Sequence, residues 1–479
     1  MKDELVEQLR YALPVSLSTV SRLLVVATDM AFLGHLGTPQ LAGAGLGNSI
    51  FDIAFTFSSA AAVCTAPLCS QAYGANNLKL VGAWLQLAFF FIVLCSIVTV
   101  PLVMFATGPA VQLLGASEEV TRLANDYNQI NSFKLLPLAV FQSTRQYLQA
   151  HGNVQPALYV CIFTTALNVP LNYVFIYSLN MGFRGSPLAT LATSVLQTVL
   201  LFLYMAVVPG KHHQTWAPLA DLRKNLSDHR RLKEFLKMSF GMLGSMIDNW
   251  VTSAITFMTS AMGTEDVAVQ QILYNNWSIM WSLTWGFGSA TQTRISQQLG
   301  ANAPRQAKGS LHVGILTAWV GSLMLAAVYY ALVRQVTLAY TSDESVISYS
   351  SQLTLLFLAN FIALQFSQIF LVVFDACGRP ILAGGIALIT SLTISLPLSY
   401  VFGFTLGMKL QGLWLAGAVG EGIRFFLAGW FVWRLDWERE AYDAQIRQEV
   451  DQGQKNEAEG VPCLSSGDEV GPQSVQTHE

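Results

Sequence analysis

The chain is poor in charge. Only 11% of its 479 residues are Asp, Glu, Lys or Arg, against about 25% in an ordinary soluble domain. So few charges cannot coat a water-facing surface for a chain of this length. The net charge of −3 lacks the basic excess that nucleic-acid binding needs. The six cysteines, at 64, 69, 95, 161, 377 and 463, lie in apolar stretches or in the polar C-terminal segment. Their spacing fits neither a metal site nor a secreted disulfide framework, so no metal and no cofactor is expected. No His-rich cluster and no nucleophile–base pair on adjacent apolar segments is visible, which argues against an enzyme. No leader peptide is visible either. Apolar sequence begins after Arg10 and runs too long for a cleaved segment.

In place of charge the chain has apolar runs and a repeat. Hydrophobic residues make up 53%. Gly37, Gly74 and Gly152 recur as Gly263, Gly300 and Gly378, each 226 residues later. The segment 167–175 (LNVPLNYVF) returns at 394–402 (ISLPLSYVF), shifted by 227. A near-constant offset over four landmarks implies a duplicated half, and duplicated apolar halves are the build of a secondary transporter.

Runs of spanning length predict twelve transmembrane helices near 10–34, 41–70, 81–107, 119–143, 156–179, 186–208, 236–260, 267–291, 310–333, 347–374, 380–404 and 411–434. The expected fold is all-α and integral to the membrane. It has two six-helix lobes, 1–209 and 236–436, joined by a cytoplasmic linker, 210–235, and followed by a disordered cytoplasmic tail, 437–479. An even number of spans per repeat relates the lobes by a pseudo-twofold along the membrane normal. With the N-terminus inside, 17 Lys and Arg fall on the cytoplasmic side and 4 outside, so both termini are expected in the cytoplasm. The choice between plasma and organelle membrane stays open, and a monomer is expected.

Charge inside hydrocarbon is costly and marks function by default. Asp29, in span 1, reads either as a proton or cation site or as a carboxylate at the outer helix end. Arg22 and Asp52 lie at similar depths on spans 1 and 2, which suggests a structural ion pair. Glu421 and Arg424 stand i, i+3 on one helix face and suggest another. Asp248 is mid-membrane in span 7 with no basic residue within a turn, so it is expected to line the cavity. Lys134 could snorkel toward an interface, and Asp375 sits near a helix end. Pro14, Pro67, Pro137, Pro170 and Pro397 each remove a backbone hydrogen bond and permit a bend; Pro170 and Pro397 are repeat mates. Uncharged polar residues on apolar faces include Asn168, Asn172, Gln270, Asn275 and Gln365. Any one of them is ordinarily helix–helix glue, but Asn168 and Asn172 share a face at i, i+4. Gln270, Asn275 and Gln365 are candidate cavity residues beside Asp248.

Several motifs together resemble the multidrug and toxic compound extrusion (MATE) family. They are Leu13-Pro14, Asp29 before Phe32-Leu33-Gly34-His35-Leu36-Gly37, Ser70-Gln71-Ala72-Tyr73-Gly74-Ala75, Arg145 to Gly152, and Arg294 to Ala301. The resemblance covers about 10–434. It implies a twelve-helix antiporter that expels organic, often cationic or xenobiotic, compounds in exchange for protons or sodium. Asp29 matches the family's protonated span 1 carboxylate, and Thr190 resembles its span 6 hydroxyl. Asn168 matches the Asn of an Asn-x-x-x-Asp pattern whose Asp is replaced here by Asn172. Asp248 falls where the second lobe carries an acid, usually Glu. The span 10 carboxylate of sodium-coupled members would fall near Leu364–Gln365, and neither residue is acidic. Proton exchange is therefore expected, with Asp29, Asn168, Asn172 and Thr190 as the coupling set. Sodium exchange is the lesser alternative. A flippase or exporter of a lipid-linked or anionic metabolite is an alternative on the same fold.

Overall fold

The computed structural model describes residues 1–458 apart from 114, 260, 261 and 342. The side chains at 219, 247–249, 251–253, 255–257, 264–265 and 449–458 are outside that description. Among the described residues there is no strand. The first half runs α1 (Lys2–Leu36), α2 (Thr38–Val63), α3 (Thr65–Gly74), α4 (Leu78–Leu113), α5 (Glu118–Asn131), α6 (Leu135–Ala150), α7 (Gln155–Tyr173) and α8 (Gly185–Val207). Two short helices, α9 (His212–Thr215) and α10 (Leu222–Ser227), occupy the linker. The second half runs α11 (His229–Met258), α12 (Thr264–Gly300), α13 (Pro304–Leu338), α14 (Glu344–Ala376), α15 (Pro380–Thr390), α16 (Leu396–Tyr400) and α17 (Lys409–Trp433), and α18 (Trp437–Ala458) follows.

Among the described residues, nine helical stretches are long and apolar enough to cross a membrane. The stretches α5–α6, α11 and α12 are helical over the ranges read from sequence but more polar. The surface is inverted relative to a soluble protein: Phe105 is 76% exposed and Phe426 73%. The interior instead holds Asn128, Asn131, Asn168, Thr291, Ser296 and Ser367. Hydrocarbon-facing apolar side chains outside and polar side chains inside is how a chain with little charge folds in a bilayer.

The duplication is written in the backbone. Ten of the eleven described residues with positive φ form repeat pairs: Gly37/Gly263, Asn76/Asn302, Gly152/Gly378, Asn180/Gly407 and Gly182/Lys409. The π-helical stretches Val174–Ser178 and Val401–Thr405 are mates as well. A third π stretch, Ser391–Ser395, has no mate in α7. It falls where the repeat offset changes from 226 to 227. A π-bulge is the signature of one residue inserted into a helix, so the extra residue of the second half is absorbed there.

Three of the prolines, Pro67, Pro137 and Pro397, stand at changes in the helices. Pro67 cannot donate to the carbonyl of Val63, where α2 ends. Pro137 cannot donate to Phe133, inside the 3-10 stretch Ser132–Lys134. Pro397 follows the π stretch of α15. Pro170 lies inside α7, four residues before Val174–Ser178. At Pro14 α1 runs on unbroken, as α4 does at Pro101 and Pro109. The carbonyl that Pro14 leaves unpaired belongs to the exposed Arg10 near the helix start.

The halves meet at the end where the linker lies. Gly74 abuts the Gln297 carbonyl and Gly300 abuts the Gln71 carbonyl, so a Cβ at either glycine would collide with backbone. These are reciprocal contacts, since Gln71/Gln297 and Gly74/Gly300 are both repeat mates. Glu4 closes the same end. It accepts from Arg294 Nε at 3.0 Å and Nη2 at 2.7 Å, and from Ser310 Oγ at 2.7 Å.

The expectation of a disordered tail from 437 is corrected over Trp437–Ala458, which is helical. This helix docks on the same end. Arg379 pairs with Glu440 at 2.6 Å, Gln445 donates to the Gly300 carbonyl at 2.6 Å, and Arg447 donates to Gln71 Oε1 at 3.2 Å. Ala441 and Ala444 are buried beneath it. Two alanines and a few polar contacts leave little hydropathic trace, so the sequence reads as polar coil.

Candidate functional site

Helices α1, α7 and α8 converge on Asp29, which is 2% exposed. Asn172 Nδ2 donates to Asp29 Oδ1 at 2.9 Å, and the Thr190 hydroxyl donates to Oδ2. Asn172 Nδ2 also reaches Asn168 Oδ1 at 3.2 Å and the Asn168 carbonyl at 3.0 Å, which fixes its rotamer. Thr190 lies 3.3 Å from the Ser186 carbonyl, one turn back in α8. The structure thus brings Asp29, Asn168, Asn172 and Thr190 into one buried cluster. Among the described residues, Asn172 Oδ1 and Asn168 Nδ2 have no hydrogen-bond partner.

Lys134 stands at the 3-10 break between α5 and α6. It is buried, with Nζ 4.5 Å from the centre of the Phe51 ring. Its charge acts on both Asp29 and Asp52, so its place is in the interior rather than at an interface. Arg22 and Asp52 require a correction. No ion pair within 4 Å joins them, and both are exposed. Similar depth along two helices does not fix the direction in which each side chain points; here both face open space, and they interact only at longer range.

Glu421 and Arg424 are in contact at 2.7 Å. Arg424 is 0% exposed and donates to Thr390 Oγ1 at 2.9 Å, to the Ala387 carbonyl at 3.1 Å and to Ser391 Oγ. Glu421 accepts from Ser367 Oγ at 2.8 Å. The pair is anchored on every side and carries no net charge.

The side chain of Asp248 lies outside the described residues. Gln270 and Gln365 are buried, and Asn275 is half-buried, accepting from Gln271 at 3.3 Å in its own helix. Among the described residues, Gln365 Nε2 has no hydrogen-bond partner.

Sequence reasoning passed over an aromatic ladder on α12. Tyr274, Trp277, Trp281 and Trp285 stack in series, with ring centres 5.9, 6.4 and 5.0 Å apart. The charge of Asp52 on α2 reaches Tyr274, so the upper rung faces the first half. Trp285 packs against the buried cluster that holds Tyr11, Ala12 and Val15 of α1. The signal available was the i, i+3, i+7, i+11 spacing of four large rings, which places them on one helix face.

Set against known proteins, the chain matches one family in both halves. The MatE family model matches twice, at 14–174 and 242–401, once on each half. The chain belongs to the MatE family. Protein DETOXIFICATION 16 of Arabidopsis thaliana is 27% identical over 454 residues, covering 94% of this chain and 92% of the relative. Multidrug and toxin extrusion protein 2 of Oryctolagus cuniculus is 28% identical over 439 residues, covering 90% of this chain and 71% of the relative. The crystal structure of the eukaryotic MATE transporter AtDTX14 superposes with a TM-score of 0.82 at 19% identity, over 93% of this chain and 99% of that one.

Proposed function

We propose that the protein is a proton-coupled efflux antiporter that exports organic cations across a membrane. In this reading twelve helices form two six-helix lobes with both termini in the cytoplasm, and the linker end is the cytoplasmic gate. The multidrug and toxin extrusion name of a relative supports the export of drug-like organic compounds.

The observation that carries the proposal is the donor set around Asp29. An amide NH2 can only donate, whereas a hydroxyl can donate or accept. Protonation therefore belongs on Oδ2. Thr190 then turns its hydrogen to the Ser186 carbonyl and accepts the new O–H, while Asn172 continues to donate to Oδ1. Both protonation states are satisfied without moving a helix, so the site can load and release a proton. What changes is the charge that Lys134 meets: with Asp29 neutral, α1 loses an attraction to the α5–α6 junction. That loss biases the lobes between inward-open and outward-open states. Asp52 and the faces of the α12 ladder suit a flat cation, through Coulomb attraction and cation–π contact.

Proteoliposomes with an imposed pH gradient in sodium-free buffer test this. Transport of a fluorescent organic cation should follow the gradient and collapse with a protonophore. Asp29→Asn keeps the size and the hydrogen bonds and removes titration, so it should abolish coupled efflux in a protein that still folds. Retained proton-driven transport in that variant would remove Asp29 from the mechanism. A need for sodium, with indifference to the protonophore, would recast the cluster as a cation cage. Export of an anionic metabolite is the second reading. It draws on Arg22 and Lys134, two cations whose charges both act on Asp52, and preferential uptake of anionic over cationic dyes would favour it.

A further inference from the structure

On the outer face of the second half, α11, α15 and α17 enclose a groove of about 620 Å³. That is the size of a small-molecule pocket, about 300–1,000 Å³. Its wall is apolar: Ile381, Ile386 and Ile389 from α15, and Leu427 and Phe431 from α17. Ile381 and Ile389 are largely exposed. One end carries Lys237 and Arg379, and the lining includes no carboxylate. From Ile381 to Ile389 the groove runs along α15 for about 12 Å. It thus begins at the gate end, where α15 starts, and reaches Thr390.

An apolar groove facing hydrocarbon has no preference of its own, because lipid tails are as apolar as its walls. Selectivity must come from the charged end. Lys237 is half-exposed and has Glu234 only at 3.8 Å. Arg379 touches Glu440 and Asp443 through Nη2 alone, so Nε and Nη1 remain as donors. Two cations at headgroup height above a single apolar channel match the shape of an anionic phospholipid. We propose that this groove is a specific site for one anionic phospholipid of the cytoplasmic leaflet. Its phosphate lies between Lys237 and Arg379, and one acyl chain extends toward Thr390.

The far end of the groove gives the site a consequence. Thr390 accepts from the buried Arg424, and the π stretch Ser391–Ser395 starts at the next residue. A bound chain would brace the regular part of α15 against α11 and α17 directly below the bulge. The leaflet assignment rests on the orientation proposed above; the binding itself does not.

Native mass spectrometry of the full chain in detergent tests the site. Dioleoyl phosphatidylglycerol and dioleoyl phosphatidylcholine are offered together at equal concentration. Surface cations contribute about fivefold each (~1 kcal/mol) toward an anionic lipid, so with two of them the glycerol lipid should be retained roughly 25-fold better. Lys237→Ala should cut that preference about fivefold. Gly385 lines the groove, and a Cβ there meets open space. Gly385→Leu should therefore fold and exclude both lipids from this groove. Equal retention of the two lipids, or unchanged glycerol-lipid adducts in Gly385→Leu, would overturn the proposal. So would full displacement by soluble glycerol phosphate, which would reduce the site to an anion contact. None of these readouts depends on transport, so they stand apart from any failure of the antiport reading.

Discussion

In the first half, Asp29 accepts from the neutral donors Asn172 and Thr190. At the repeat positions of the second half stand Ile255, Ser399 and Gly417, none of which can carry a charge. Glu421 and Arg424 show the converse. Their mates in the first half are Ser194 and Gln197, and Gln197 donates to Cys161 Sγ at 3.1 Å. One backbone thus carries two kinds of buried charge. The first half holds a carboxylate whose charge can vanish without breaking its hydrogen bonds. The second holds a pair whose two charges stand or fall together. In the proposed mechanism the titrating group has one neutral partner, Thr190, that can reverse direction, whereas the second-half pair has opposite charges. On that reading duplication supplied the scaffold and left each half free to take one role.

The comparison is broken most forcefully at Glu421. Glu421→Gln should leave Arg424 charged in a site with no access to water. Removing one partner of a buried pair costs about 3–5 kcal/mol, so thermal unfolding in detergent should fall sharply. Replacing both, as Glu421→Leu with Arg424→Met, should recover most of that loss and retain coupled efflux. If the double variant folds well yet loses coupling, the second half also titrates and the contrast fails.

A subtler change sharpens the first half. Thr190→Val keeps the shape and removes the one partner of Asp29 that can both donate and accept. A buried group left unsatisfied costs about 1–3 kcal/mol. Coupled transport should drop roughly 5- to 100-fold, and Thr190→Ser should restore most of it. A drop that Ser fails to rescue would mean that Thr190 acts through packing.

Helix positions were legible because hydropathy and length constrain a bilayer span directly. The cluster at Asp29 was legible because Asn168 and Asn172 share a helix face and the family motifs align Asp29 and Thr190. Other features had no such handle. Depth placed Arg22 beside Asp52, but the rotation of α1 against α2 points both into open space. Helix α18 is held by two alanines and a handful of polar contacts, which a hydropathy pattern does not register. The α12 ladder was visible as spacing, yet nothing in the spacing says what a helix face looks upon.

A further expected effect lies where the halves meet, at the end read above as the gate. Burial raises the proton affinity of Glu4. Hydrogen bonds from Arg294, Ser310 and Gln8 and the Arg294 charge outweigh that and hold the carboxyl below its ordinary range. A lowered value means that the tie is fully present above the usual glutamate range and is lost only as pH falls through the lowered one. The gate contact should therefore be constant around neutrality and weaken in acid. Glu4→Gln should remove that dependence and about 1.5–3 kcal/mol of closure, raising the open population by roughly tenfold or more. Hydrogen exchange at 71–77 and 297–303, where Gly74 and Gly300 abut the opposite half, reads this directly. Faster exchange in the variant at neutral pH, converging with the parent protein in acid, is the expected outcome. Identical exchange at all pH values would show that the reciprocal glycine contacts hold the gate without the ion pair.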